Sequence, residues 1–525
     1  MPNPAPDSPT WYPGAHRGGD NKTKPAVVMA DTGEVLTYGE LDDAASRIAR
    51  VFGSLGLAPG DHVAICAENR VDYLEVVWGA HYAGVYYTLI STHLAPDEVV
   101  HIVRDCEAGA VVLSATTAAV HLDAVRAAVP GVAVLTLDAT PYDGAEELSV
   151  LKSGQPAEPL PGAVEGSEML YSSGTTGRPK GIRPTSVGAP LGTTPPIPAP
   201  ALAMFQVDED TVYLSPAPLY HAAPARWTRS VTAVGGTVVL LRKFDAALAL
   251  EAIAKHHVTH SQWVPTMFTR LLRLPEEVRR GYDLSSHRFA IHAAAPCPPQ
   301  VKQAMIDWWG PILIEYYAGS EGHGMTVCTT PEWLEHPGTV GRAVVGRVHI
   351  VGVGGDELGP GQEGVVYFSG GPPFEYYKDP DKTRSAQLPG GLATMGDIGR
   401  LDEDGYLHLT DRLSNMIISG GVNIYPQEIE SLLASHPDVE DVAVIGVPDE
   451  EFGEQVKAVV TRVPGPDSDE AVAARLIAHC RDHAAHVKCP RSVDFRAELP
   501  RHPNGKLLKR LLKDEYWAGQ ATRLV

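Results

Sequence analysis

The run Tyr171-Ser172-Ser173-Gly174-Thr175-Thr176-Gly177-Arg178-Pro179-Lys180-Gly181 gathers four hydroxyls, three glycines and a lysine within eleven residues. Such a loop lets backbone N–H groups converge on phosphate oxygens with no Cβ in the way, while the hydroxyls and Lys180 add donors and charge. It lacks the G-x4-G-K-[ST] spacing, so it is not a Walker loop. A second cationic feature lies far downstream. The last forty residues, His486 to Val525, carry nine Lys/Arg against four Asp/Glu, which reads either as a solvated amphipathic helix or as a cation-bearing flap over an anionic ligand. Other arrangements are weaker. His256 and His260 share a metal-compatible helical spacing but sit where a helix meets a strand, with no third ligand nearby in sequence. Gly352-Val353-Gly354-Gly355 lacks the third glycine of a dinucleotide fingerprint. No G-x-S-x-G occurs, so there is no nucleophile elbow.

Positioning these groups requires a scaffold. Thr37 and Glu40 form a capping box, and Leu41, Ala44, Ala45, Ile48 and Phe52 follow at helical spacing. The spacing then predicts a strand at 62–66, a helix near 72–83, a strand at 85–90, a helix at 96–105 and a strand at 110–114. Alternation of this kind implies parallel βαβ units covered on both faces. Apolar runs at 212–214, 238–241 and 312–316 extend the body. From Gly338 onward, strands at 348–351 and 365–368 separated by Gly-rich turns predict a small antiparallel, barrel-like subdomain. After Asp411 comes a compact alternating unit, with a helix starting at Pro426, strands near 442–445 and 457–461, and a helix near 470–485. The Pro-rich stretch 189–201 reads as a surface loop. The expected class is α/β: a polar, flexible lead over 1–25, a large body over 26–411 and a small α+β domain over 412–525.

Composition bounds the partners. The chain has 525 residues, 44% hydrophobic and 20% charged, and a formal net charge of −21. A folded chain of two to four units is expected. That charge argues against a general nucleic-acid or anionic-membrane binder. The most apolar long window, Tyr73 to Ile90, contains Glu75 and His81 and reads as core rather than a membrane span. The N-terminal stretch has no apolar h-region. Six scattered cysteines, none in a CxxC pair, suggest reduced thiols in a cytoplasmic protein.

The Ser/Thr/Gly loop resembles the phosphate-loop signature of the adenylate-forming superfamily, which includes acyl-CoA synthetases, peptide-synthetase adenylation domains and firefly-type luciferases. Four further elements follow in the family's order. Tyr317-Ala318-Gly319-Ser320-Glu321 is similar to its Y-G-x-T-E element, with Ala for Gly and Ser for Thr. Gly396-Asp397 matches T-G-D, with Met395 for Thr. Asp411-Arg412 and Ser419-Gly420-Gly421 through Glu430 resemble the hinge and the start of the C-terminal domain. Pro500 to Lys506 resembles the terminal P-R-T-x-x-G-K element.

The resemblance implies ATP, Mg²⁺ and coenzyme A as small-molecule partners of a carboxylic acid, with no nucleic acid and no transmembrane segment; a homodimer stays open. It implies that Ser173, Gly174, Thr175, Thr176, Gly177 and Lys180 cradle the pyrophosphate, that Glu321 and Thr176 hold Mg²⁺ and that Ser320 contacts the α-phosphate. Asp397 and Arg412 would anchor the ribose, and Ala294, Ala295, Pro296, Tyr317 and Ala318 would frame the nucleotide. Lys506 would bridge the carboxylate and α-phosphate during adenylation. Rotation about a hinge near 411–415 would then bring Ser419, Gly420 and Gly421 to a pantetheine tunnel, thin backbone suiting a thin thiol chain. Ser414 and Asn415 stand where the family commonly has charged residues.

Pro218-Leu219-Tyr220-His221 resembles the family's element beside the acyl pocket. A histidine there, rather than an Asp nearby to pair with an ammonium group, argues against α-amino acids. The expected pocket uses His221, Trp227, Trp263, His292, Ala293 and Gly319, with each histidine either a substrate contact or a hydrogen-bonded structural residue. The implied activity is an acid–CoA ligase acting on a medium, long or bulky apolar acid. The alternative keeps adenylation but uses a non-CoA acceptor or a different acid: amide formation, carrier loading or nitrite activation.

Overall fold

The structure, a computed structural model, describes residues 10–139, 142–172, 180–184, 187–197, 199–352, 354–420, 422–501 and 507–518. Two sheets build the large body. The first has nine strands in the order 342–345, 325–329, 313–318, 289–292, 260–263, 212–215, 237–240, 25–29 and 35–37. Its interior pairs are parallel, and the edge strands at both ends run antiparallel. The second has six parallel strands, in the order 146–147, 133–136, 108–113, 62–66, 86–89 and 167–168.

The expected capping box closes the start of the helix Tyr38–Ser54, whose Leu41, Ala45, Ile48 and Phe52 are fully buried. This helix and Val71–Tyr82 pack in the core shared by the two sheets, with Trp78 at the centre. The apolar window at 73–90 is that helix plus the buried strand Tyr86–Leu89. Among the described residues no helix is long and apolar enough to cross a membrane. The six cysteines are unpaired, and burial pushes the Cys66 and Cys106 thiols up to about 12.

The segment after Gly338 forms a five-stranded antiparallel sheet around Ile350, Val366, Phe368 and Leu407. A separate three-stranded sheet sets Lys180–Pro184 between Leu170–Ser172 and Phe374–Tyr376. The C-terminal unit is a five-stranded sheet dominated by the hairpin Val439–Asp449 and Gly453–Arg462, covered by Pro426–Ala434 and Asp469–His483.

One expectation needs correction. The lead-in is held from residue 10 onward. Pro13 is buried, the Trp11 N–H donates to the Gly192 carbonyl, and Arg17 pairs with the buried Asp42, so charge and aromatic contacts replace the missing apolar pattern. The Pro-rich stretch is a surface loop over its described residues 189–197, as expected; the N–H groups of Thr193 and Thr194 tie it to the Glu165 carboxylate.

Candidate active site

The two ends of the phosphate-loop segment lie on neighbouring strands. Ser172 pairs with Lys180 across the antiparallel strands Leu170–Ser172 and Lys180–Pro184. Ser173, Gly174, Thr175, Thr176 and Gly177 lie outside the described residues. Lys180 itself ion-pairs with Asp379, which follows the neighbouring strand Phe374–Tyr376.

The strand Leu313–Ala318 delivers the next motif. Tyr317 donates its hydroxyl to Asp397 Oδ2 at 2.6 Å, and Arg412 Nε reaches Asp397 Oδ1 at 3.2 Å. Asp397 and Arg412 are cross-strand partners, which fixes that pair by register. Burial, then the Asp397 charge, raises the Tyr317 hydroxyl, keeping it a donor. Glu321 Oε1 accepts the Tyr376 hydroxyl at 2.8 Å and makes no salt bridge among the described residues. At Gly319 a Cβ would lie 2.4 Å from both Glu321 Oε2 and Met395 Sδ, so any side chain there would push these two side-chain ends aside. Ala294 has a left-handed backbone, φ 74°, a strain of roughly 1–3 kcal/mol that such sites concentrate. Ala295 and Pro296 follow it on the surface-facing turn before the helix Pro299–Trp309.

The expected acyl wall divides. His221 caps the helix Ala222–Ala233, with its ring 4.7 Å from that of Tyr220. Trp227 is turned into the inter-sheet core against Phe205, ring centroids 4.9 Å apart. Trp263 and His292 are wholly buried on the opposite, helix-covered face of the large sheet. Register explains this: Trp263, His292, Glu315 and Cys328 are successive cross-strand partners, so their side chains share one face. Trp263 packs against Phe268 and Trp309 and satisfies its indole N–H at Ser261. These contacts make Trp227 and Trp263 core residues. His292, whose neighbour Ala293 is also buried, has no hydrogen-bond partner on either ring nitrogen among the described residues, and burial drives its pKa far down. Beside it Lys302 Nζ meets Glu315 Oε2 at 2.6 Å, both buried.

Sequence reasoning missed a buried strut. Arg226 Nε donates to Glu168 Oε1 at 2.8 Å, and its Nη2 donates to the Ser320 carbonyl at 3.0 Å. Arg229 reaches Glu168 Oε2 at 3.2 Å. Burial alone would raise the Glu168 carboxyl, but the two guanidiniums outweigh it and pull it down to about 2. The strut joins the chain just before the phosphate-loop segment, the helix after His221 and the loop before Glu321. The only signal in the sequence was two arginines in a helix otherwise rich in small and apolar residues.

In the C-terminal unit Ser419 is buried and Gly420 takes a left-handed φ of 57°, its N–H donating to the Phe452 carbonyl. Gly421 and Lys506 lie outside the described residues, but the ends of the Lys506 segment are pinned. Arg501 bridges to Leu507 and pairs with Asp441 at 2.7 and 2.5 Å, and Lys509 makes a buried pair with Glu430 at 2.8 Å. At the joint, Asp411 accepts from the Arg412 N–H (2.6 Å), Asn415 Nδ2 (3.1 Å) and the Gln427 N–H (2.9 Å), the last in the first turn of Pro426–Ala434. His260 is spent on Thr259 and the Phe205 carbonyl, and no metal-binding group occurs among the described residues.

Comparison with known proteins gives a consistent answer. The AMP-binding enzyme profile matches residues 15–377, and the AMP-binding enzyme C-terminal domain matches 428–506. The chain is 33% identical over 511 residues to the long-chain-fatty-acid–CoA ligase FadD13 of Mycobacterium tuberculosis, covering 94% of this chain and 95% of that one. It is 34% identical to a feruloyl-CoA synthase of an Amycolatopsis species over 489 residues, 92% and 94% of the two chains. The crystal structure of ATP-bound MatB from Rhodopseudomonas palustris superposes with a TM-score of 0.81 at 29% identity, covering 95% of this chain and 97% of that one. The chain therefore belongs to the AMP-binding enzyme family, within the adenylate-forming superfamily.

Proposed function

We propose that this protein is an ATP- and Mg²⁺-dependent acid–CoA ligase. The observation that carries the reading is the buried Asp397 carboxylate, held between Arg412 and Tyr317, the latter three residues before Ser320. Two ribose hydroxyls need such a fixed acceptor. The CoA ligases matched over more than nine-tenths of this chain support the thiol acceptor, and a non-CoA acceptor is not favoured. Fatty, aryl and alicyclic acids are the substrate classes to test first.

In the first half-reaction a carboxylate oxygen attacks the α-phosphorus, and the α–β bridging P–O bond breaks with its electron pair leaving on pyrophosphate. Lys180 and the 173–177 segment hold that leaving group, while Ser320 faces the α-phosphate. Lys506 bridges the attacking carboxylate and the α-phosphate. Glu321 fits a magnesium site, since one carboxylate completed by phosphate oxygens and water is this cation's habit. The metal would supply charge neutralisation at the phosphate oxygens. In the second half-reaction the small domain, 412–525, turns on its joint, withdraws Lys506 and presents Ser419–Gly421 to the thiol. The thiol sulfur then attacks the acyl carbonyl carbon, gives up its proton, and AMP leaves. His221 faces the acyl side. Six unpaired cysteines suit a cytoplasmic setting.

The test is pyrophosphate release over a panel of fatty, alicyclic and aryl acids, with and without CoA. Acyl-CoA should accumulate with at least one acid. AMP release that requires an amine and ignores CoA would overturn the thiol acceptor. Lys506→Ala should slow adenylation by about 10²–10³-fold, the scale of losing one charge-stabilising donor, and spare thioester formation from supplied acyl-adenylate. Equal loss of both half-reactions would remove the alternating role of Lys506.

A further inference from the structure

Lys382 lies on the first turn after the strand that flanks Lys180, and the reaction as derived gives it no task. Its Nζ rests 4.4 Å from the centroid of the Tyr376 ring, whose hydroxyl is committed to Glu321. Asp379 ties the two lysines' segments together: one carboxylate oxygen takes the Lys180 ammonium, and the other caps the turn of Lys382 by accepting its backbone N–H at 3.0 Å. The turn is rigid. Thr383 Oγ1 accepts the Tyr376 N–H and donates to the Asp379 carbonyl, both at 2.9 Å, and Lys378 holds a left-handed φ of 55°.

A half-buried lysine on an aromatic face is often no more than packing. Lys382 differs in its surroundings. It makes no salt bridge among the described residues. Burial, then the charge of Lys180, lowers its pKa, although Glu321 and Asp379 pull the other way. A partly desolvated cation beside a like charge is relieved by an incoming polyanion.

We propose that Lys382 is a second pyrophosphate-binding cation, acting with Lys180 on the β- and γ-phosphates of ATP and on the departing pyrophosphate. As the α–β bond breaks, negative charge grows on the bridging oxygen, and a second ammonium group stabilises it where one lysine would leave it half-neutralised. Asp379 holds the Lys180 ammonium and caps the turn that carries Lys382.

The inference rests on the ligase reading, and calorimetric titration of the full chain with pyrophosphate plus Mg²⁺, and separately with AMP, tests both. Wild type should bind both ligands. Lys382→Met should bind pyrophosphate about tenfold more weakly, equivalent to about 1.4 kcal/mol, with AMP affinity unchanged; Lys382→Arg should recover most of the loss. In turnover, KM for ATP should rise in the Met variant. If wild type binds pyrophosphate and Lys382→Met binds it equally well, or loses AMP and pyrophosphate alike, the inference fails and the ligase reading stands. If wild type binds neither ligand, the ligase reading fails and takes this one with it.

Discussion

Replacing Glu168 by Gln tests the buried strut most sharply. The carboxylate is buried against Arg226 at 2.8 Å and Arg229 at 3.2 Å, and its pKa falls from 4.5 to about 2. At about 1.4 kcal/mol per pH unit, that depression is worth roughly 3 kcal/mol at neutral pH. Breaking a buried pair by removing one partner costs about 3–5 kcal/mol, so the two routes agree. For a folding unit of several hundred residues this corresponds to a melting point lower by about 3–4 °C. The sign follows from the depressed pKa: the stabilisation is complete above about 4.5 and lost as pH falls towards about 2. Thermal unfolding of wild type and Glu168→Gln between pH 7 and pH 3 should therefore show a gap that shrinks by more than half. Equal melting points at pH 7, or a gap that stays constant down to pH 3, would refute the reasoning.

Gly319→Ala should displace the ends of Glu321 and Met395, since the new Cβ would lie 2.4 Å from each; a raised Mg²⁺ requirement in steady-state assays with stability nearly unchanged is the expected outcome. Lys302→Met should cost about 3–5 kcal/mol in urea unfolding by stranding Glu315 in the core, and the double change with Glu315→Met should recover most of it.

The sequence exposed what is local. The Thr37 capping box, the βα alternation from His62 to Leu113 and the antiparallel strands after Gly338 follow from spacing of two or 3.6 residues, which single segments reveal. The antiparallel pair that flanks the phosphate-loop segment ends at Lys180, the lysine the motif had singled out. What stayed hidden depends on which way a side chain faces across a sheet or which distant charge it meets. Trp227 and Trp263 looked like pocket wall, and only the register of their strands and helices sends them into the core on opposite sides of one sheet. Arg226 and Glu168 are 58 residues apart, and Tyr317 and Asp397 are 80 apart. No periodicity announces such pairs, although a motif resemblance did flag Tyr317 and Asp397. The hold on residues 10–24 was missed because it depends on single contacts such as Arg17 with Asp42 rather than on an apolar stripe.

The threefold grip of Asp411 bears on the rotation proposed for the small domain. That rotation would lift the start of the domain's first helix off this carboxylate. A bond so exchanged for water forfeits only about 1 kcal/mol, so in the proposed rotation the joint would act as a shallow detent. With uncharged Ser414 and Asn415 beside it, Asp411 is the sole carboxylate in that five-residue stretch. In the proposed rotation, that carboxylate's bond to the first turn of the small domain's helix would be the one exchanged for water.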